Sequence, residues 1–89
     1  MGAATQAVMA AAKQRGWDSG KSYHRKVVVR RLYEESGDGL LRGGYAAAEI
    51  FHANFYHDFM EDYQIEENRP LVRDFLQRVF SLVEGQANG

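Results

Sequence analysis

Aromatic side chains recur at every fourth position through the middle of this 89-residue chain, at Phe51, Phe55, Phe59 and Tyr63. Ala47 continues the same series toward the N-terminus. Residues four apart lie on one face of an α-helix, so this spacing predicts a helix with an aromatic stripe along one side. Such a stripe has to be covered, because most helical stability comes from packing an apolar face against a neighbour. The repeat therefore places the chain among the all-α proteins.

Glycine, aspartate and proline divide the sequence into four helical segments. They are predicted over residues 3–15, 22–36, 39–63 and 69–84. Alanine favours the first helix, and Gly16 follows it at the position where glycine commonly ends a helix. Pro70 is expected in the first turn of the last helix, where its missing N–H is harmless. Four amphipathic segments joined by short links predict an antiparallel up-and-down bundle.

Two adjacent glycines, Gly43 and Gly44, lie within the third segment. Each costs a helix about 1 kcal/mol relative to alanine, so their presence needs a reason. Either the helix begins after them, or a neighbouring helix approaches the backbone closely at that point. Asp38 precedes the segment and is suited to cap its N-terminus.

The chain contains no cysteine, so neither a disulfide nor a thiolate metal site can stabilise it. Its length fits one domain over residues 1–89, and a chain this short buries only about 60% of the surface that its unfolded form exposes. Oligomerisation is the remaining common remedy, so we expect a homodimer or a partner protein. The absence of a run of about 18 apolar residues predicts no membrane span, and the N-terminus lacks a secretory pattern. A cytoplasmic protein is expected.

Charge is unevenly distributed along the sequence. Residues 1–42 hold eight Lys/Arg and four Asp/Glu, a net charge of +4, whereas residues 43–89 hold three and eight, a net charge of −5. This asymmetry indicates either a face that binds polyanions or two complementary surfaces, within the fold or across a dimer. The side chains that can meet phosphates lie on the second helix, at Arg25, Lys26, Arg30 and Arg31. A solvated helix face explains the same four residues.

The third segment also carries a pair of residues that can bind a metal or move a proton. Glu49 and His52 have the Glu-x-x-His spacing that di-iron bundles use to aim two ligands inward. One such motif needs a second chain to complete a site, and a polar pair beside an aromatic stripe is the simpler interpretation. His52 can also act as an acid or base near neutral pH, oriented by Glu49, but no nucleophile motif accompanies them. The sequence thus favours a non-catalytic protein and predicts no cofactor.

Three short motifs follow one another along the chain. They are Arg15-Gly16-Trp17 leading to Ser22-Tyr23-His24-Arg25, then Glu35-Ser36-Gly37-Asp38, then Ile50-Phe51-His52-Ala53-Asn54-Phe55-Tyr56. Their order and spacing resemble the C-terminal part of archaeal PaREP-type proteins and related HEPN-like helical domains. The resemblance covers roughly residues 10–84.

This resemblance implies an antiparallel helical bundle that tends to dimerise. It also implies that polar residues at matching positions line a shared groove, namely His24, Arg25, His52, Asn54 and Tyr56. Many HEPN-like proteins are ribonucleases with an arginine four to six residues before a histidine, a pattern that no histidine of this chain follows. The resemblance therefore implies an RNA- or nucleotide-binding module without the usual ribonuclease motif. The PaREP-type proteins imply no activity.

The sequence suggests two main hypotheses for the function and a third alternative. The first is a small helical bundle that acts by protein–protein assembly, as a homodimer or as an adaptor. The alternative is RNA or nucleotide binding through the basic side chains of the second helix. The third is a metal site at Glu49 and His52, completed across a dimer.

Overall fold

A computed structural model describes the backbone of residues 2–88 and the side chains of residues 2–55 and 57–85. Within that part of the chain the molecule consists of four helices and no strands. The helices are α1 (Ala3–Arg15), α2 (Ser22–Ser36), α3 (Leu40–His57) and α4 (Asp62–Asn88). Each packs against two others, in the order α1, α2, α3, α4 and back to α1. The prediction of an all-α four-helix bundle is confirmed.

Helices α2, α3 and α4 follow the predicted antiparallel order. Between α2 and α3, Lys26 pairs with Glu49, and Arg42 near the start of α3 lies over the ring of Tyr33 near the end of α2. Helix α4 is antiparallel to α3, since Gly44 near the start of α3 faces Phe75, whereas Phe55 near its end shares a groove with Ile65. Arg78 of α4 also holds this junction, donating a hydrogen bond to Asp38 before α3. Asp38 in turn accepts the N–H of Leu40, the first residue of α3.

Helix α1 runs in the same sense as α4. Its first residues share a groove with residues 65–76 of α4, whereas Gln14 near its end donates a hydrogen bond to the carbonyl of Val83. Arg15, the last residue of α1, binds Glu35 near the end of α2 through two hydrogen bonds of 2.8 and 2.9 Å. The ends of α1 and α2 therefore lie together, and the link between them has to run back along α2.

The link of residues 16–21 is long enough to cover that distance. Six extended residues span about 20 Å, close to the roughly 22 Å rise of the 15-residue α2. Gly16 ends α1 with φ at 75°, a left-handed conformation that glycine adopts without strain. Trp17 then packs at the edge of the core beneath Arg31, and the carbonyl of Ser19 accepts a hydrogen bond from Arg25. The link is thus fixed at two points along α2.

The core lies where the four helices meet, and α1 contributes mainly small side chains to it. Alanine at four core positions lets α1 sit close to its neighbours, because nothing longer than a β-carbon separates the backbones there. The buried members are Ala4, Ala7, Val8, Ala11, Ala12, Val28, Val29, Leu32, Leu41, Tyr45, Ala48, Phe75 and Val79. Gly44 is also buried and faces Phe75 with no room for a side chain, so of the two explanations for the glycine pair, close approach of a neighbouring helix is confirmed.

The boundary between α3 and α4 differs from the sequence prediction. The predicted helices over 39–63 and 69–84 are wrong at their facing ends, since α3 stops at His57 and α4 already begins at Asp62. Asp58 adopts a left-handed conformation with φ at 47°, and its N–H bonds to the carbonyl of Asn54. The side chain of Asn54 accepts the N–H of Met60, and that of Gln64 accepts the N–H of Glu61. Side-chain caps therefore end one helix and start the next without a glycine or proline.

Three further expectations about these helices are wrong. Pro70 lies well inside α4 rather than in its first turn, and α4 continues past Gly85 to Asn88. The aromatic repeat does not form one stripe, because Phe55 lies on α3, Phe59 lies between α3 and α4, and Tyr63 lies on α4. All three side chains are exposed. The repeat marks the junction of two helices instead of the face of one.

Candidate functional site

An open groove of about 810 Å³ lies between α1, α3 and α4. This volume falls in the range of about 300–1,000 Å³ that is usual for binding pockets. The residues that line it are Gly2, Ala3, Ala4, Ala48, Phe51, His52, Phe55, Ile65, Arg69, Val72, Arg73 and Leu76. Most are apolar, and the polar ones lie on α3 and α4.

The groove exists because small and large residues face each other across it. The first turn of α1 contributes only Gly2, Ala3 and Ala4, which cannot reach the phenylalanines of α3. Phe51 is half-buried, whereas Phe55 keeps 81% of its surface exposed at the mouth of the groove. Phe55 therefore extends the apolar surface of the groove at its mouth.

One wall of the groove is cationic. Arg69 and Arg73 are four residues apart on α4, both are exposed, and neither pairs with an acid among the described residues. By contrast, Arg78 further along the helix is held by Asp74 and Asp38, and both hydrogen bonds raise its pKa. His52 stands on the α3 side. A bound group that carries both apolar and acidic parts fits this arrangement.

The same two arginines belong to a longer series of charges on the exposed face of α4. Asp62, Glu66, Arg69 and Arg73 follow one another at intervals of four, three and four residues, and all four are exposed. This spacing places them in one row along the helix. The row is acidic in its first half and basic in its second. The sequence prediction missed it, because a helix break at residues 64–68 puts the two acids and the two arginines on different elements.

The basic residues predicted on α2 do not form one patch. Lys26 and Arg30 share a face, and Lys26 lies 3.7 Å from the carboxylate of Glu49. Arg31 points to the other side of the helix, with its guanidinium 5.2 Å from the centre of the Trp17 ring. Arg25 is half-buried and bonds to a backbone carbonyl. These four charges are directed around most of the helix and do not form a single cationic face.

Arg25 packs beside a buried tyrosine. Tyr45 is 4% exposed, and this burial raises the pKa of its hydroxyl above the usual value. The Glu49 carboxylate acts in the same direction, whereas Arg25 acts against it. The Nε of Arg25 is buried without a hydrogen-bond partner in the described part of the chain. Arg25 therefore belongs to the interface that α2 forms with α3 and with the link of residues 16–21.

The polar residues that the family resemblance places in a shared groove lie in several surroundings. His52 lines the groove, whereas Asn54 binds the link after α3 through its side chain. His24 lies in the first turn of α2, where its Nδ1 accepts the N–H of Lys21 at 3.3 Å and its ring contacts that of Tyr23. The side chain of Tyr56 lies outside the described residues. A groove shared by these residues would need a second chain.

Glu49 and His52, the pair predicted as metal ligands, are positioned by the same helix but have different neighbours. Glu49 faces α2 and pairs with Lys26, while His52 faces the groove toward α1 and α4. No group of three or more His, Cys, Asp or Glu side chains with metal-binding geometry occurs among the described residues. A single chain thus offers two separated ligands, and their use as a metal site stays a prediction.

No protein-family model matches the sequence, and no curated protein or solved structure matches it either. None of the helices, as far as the structure describes them, is both long enough and apolar enough to cross a membrane. Evidence for the function of this chain therefore comes from the groove and its charges.

Proposed function

We propose that this protein acts by protein–protein assembly and that the groove between α1, α3 and α4 is its docking surface. The observation that carries the proposal is the exposed Phe55 at the mouth of an apolar groove. Burying a phenylalanine side chain contributes about 1.5–3 kcal/mol, so a partner that covers Phe55 gains a substantial share of its binding energy there. A chain of 89 residues also gains stability when a partner covers apolar surface.

The shape and charge of the groove favour a helix as the bound element. Amphipathic helices bind by laying an apolar face into a groove between other helices. Here the apolar floor includes Ile65, Val72 and Leu76, and the exposed Arg69 and Arg73 form one edge. A helix with acidic residues beside its apolar face would match both. The acids would meet the arginines while the apolar side chains enter the groove.

RNA or nucleotide binding through α2 remains the alternative proposal. It rests on Arg25, Lys26, Arg30 and Arg31 and on the resemblance to HEPN-like domains. The different directions of these side chains give it less support than assembly. Phosphate contacts make affinity fall steeply with salt, so the alternative predicts salt-sensitive RNA binding that the double change Arg30→Glu and Arg31→Glu abolishes. Unchanged binding in that variant would remove the α2 interface as the cause.

Photo-crosslinking tests the assembly proposal. A photoreactive p-benzoylphenylalanine is placed at position 55 and, as a matched control, at Leu40, which is also exposed but lies at the opposite end of α3. Irradiation in cells is expected to join the position-55 protein to a polypeptide, either another protein or a second copy, that mass spectrometry can identify. The Leu40 control should give no such product. Absence of any protein adduct at position 55, or equal adducts at both positions, would overturn the proposal.

A further inference from the structure

We propose that the groove is filled by α4 of a second copy of this chain, so that the two α4 helices pair in antiparallel orientation. The inference rests on the proposed function and names its partner. What points to a second copy is the order of charges along α4, because the helix carries on its own surface the acidic residues that its groove arginines need.

The charge row is self-complementary only in antiparallel orientation. Along one copy the order is Asp62, Glu66, Arg69, Arg73. A second α4 running the opposite way places its two arginines beside the first two acids, and its two acids beside the first two arginines. Two-fold symmetric dimers bring the same patch of each subunit together, so every contact occurs twice. A parallel pair would instead place like charges side by side, which opposes association.

These four charges are available for a partner. No ion pair or side-chain hydrogen bond connects Asp62, Glu66, Arg69 or Arg73 to another described residue. Other charges of the same helix behave differently, since Asp74 and Arg78 are paired within the chain. The four charges of the row thus point outward, whereas Arg78 uses its charge to hold α4 against Asp38.

An apolar row lies directly beside the charges. Ile65, Val72 and Leu76 are half-buried, and with Arg69 they are spaced four, three and four residues apart. This is the spacing at which paired helices interlock their side chains. Docking of a second α4 would cover this row and bring the partner helix against Phe51 and Phe55 on the opposite wall. The interface would therefore combine an apolar centre with charged edges, as protein interfaces commonly do.

Charge exchange tests the pairing. In one variant Arg69 and Arg73 are both changed to Glu, which makes the whole row acidic. In the other, Asp62 and Glu66 are both changed to Lys, which makes it basic. Each variant alone should dimerise at least about tenfold more weakly than the wild type, because all facing charges repel. An equimolar mixture should recover the dimer, since every facing pair is then opposite in charge. Native mass spectrometry separates the mixed dimer from either homodimer.

Two controls keep the outcome clear. The double change Arg30→Glu and Arg31→Glu alters the same number of charges on α2 and should leave the dimer intact. Exchanging all four residues of the row at once restores self-complementarity and should restore dimerisation, and circular dichroism checks that each variant folds. Salt should weaken the wild-type dimer, since exposed charges are screened.

Three outcomes would overturn the inference. They are a wild-type protein that stays monomeric at high concentration, a dimer that both charge variants retain, and folded variants that do not associate when mixed. None of them would by itself remove the proposed function. A position-55 adduct with a different protein would still support assembly through the groove, and it would identify another chain as the occupant.

Discussion

The β-carbon of Phe75 leaves no space for a side chain at Gly44, where an added β-carbon would lie only 2.5 Å away. The same added atom would be 3.1 Å from the carbonyl oxygen of Leu71. Both contacts are with α4, and Phe75 is fully buried. The backbone of α3 therefore contacts the side chain of Phe75 on α4 at this point. This contact fixes the relative position of two of the helices that form the groove.

Gly44→Ala should lower the free energy of unfolding by about 1–3 kcal/mol, the usual cost of adding a methyl group to a packed core. Gly43→Ala is the matched control, because no atom lies within 4 Å of its added β-carbon. That change should stabilise the protein by up to about 1 kcal/mol through helix propensity alone. Urea denaturation of both variants measures the difference, and equal effects at the two positions would contradict the packing described here.

Thr5→Val should stabilise the bundle by about 1 kcal/mol. The Thr5 hydroxyl is buried in α1 without a hydrogen-bond partner among the described residues, and valine has the same shape without the polar atom. Thr5→Ser is the control, since it keeps the hydroxyl and loses a buried methyl group, and it should destabilise. Thermal unfolding followed by circular dichroism compares the three proteins. A destabilised valine variant would mean that the hydroxyl does make a bond.

Glu35→Gln should lower stability at neutral pH by at most about 1 kcal/mol, because the Glu35 side chain is 40% exposed and solvent screens its pair with Arg15. The hydrogen bonds from Arg15 hold the pKa of Glu35 below its usual value, and the positive charge of Arg15 adds to this while burial opposes it. A lowered carboxyl pKa stabilises the fold above the unfolded-state value of about 4.3, and this contribution is lost as the pH falls through the folded-state value.

The difference between wild type and Glu35→Gln should therefore shrink in acid below about pH 4. Unfolding free energies measured across that pH range check the expectation. Glu34→Gln removes the neighbouring exposed carboxylate, which has no ion pair with another described residue, and it should show little change. A pH-independent difference would contradict the role of the pair.

Asn54→Ala should destabilise the protein by about 1 kcal/mol and loosen the link between α3 and α4. The Asn54 side chain accepts the N–H of Met60 at 2.7 Å, and its loss leaves that N–H unpaired near a buried methionine. Asn54→Asp keeps the acceptor oxygen and should retain most of the stability. Hydrogen exchange at Met60 gives a local measurement, because exchange should speed up in the alanine variant only.

The first two helices could be predicted from the sequence because ordinary local signals end them. Gly16 and Gly37 both adopt left-handed conformations at helix ends, the role that glycine plays most often. The turn after α3 has no such signal, since Asp58 takes that conformation and Asn54 and Gln64 provide the caps through side chains. These bonds depend on the folded link, so residue type alone does not indicate them.

The candidate site is harder to predict than the fold, because the groove joins residues that are far apart in sequence. The spacing between Glu49 and His52 does point to His52, which lines the groove, although Glu49 faces α2. No local signal points to Arg69 and Arg73, because proline at position 70 suggests the start of a helix. If a helix started there, Asp62 and Glu66 would lie outside it, so the four charges would not be recognised as one row.

The shared direction of α1 and α4 bears on the order in which the molecule folds. Contacts between consecutive helices form between neighbours in sequence, whereas the Gln14–Val83 hydrogen bond joins α1 to α4 across 69 positions. Closing a longer loop costs more entropy, so we expect the contact of α1 with α4 to form last and to break first. The groove needs the first turn of α1 for one wall and exists only once α1 has docked. Whatever fills the groove would then hold α1 in place, and binding would complete the folding of the N-terminal helix.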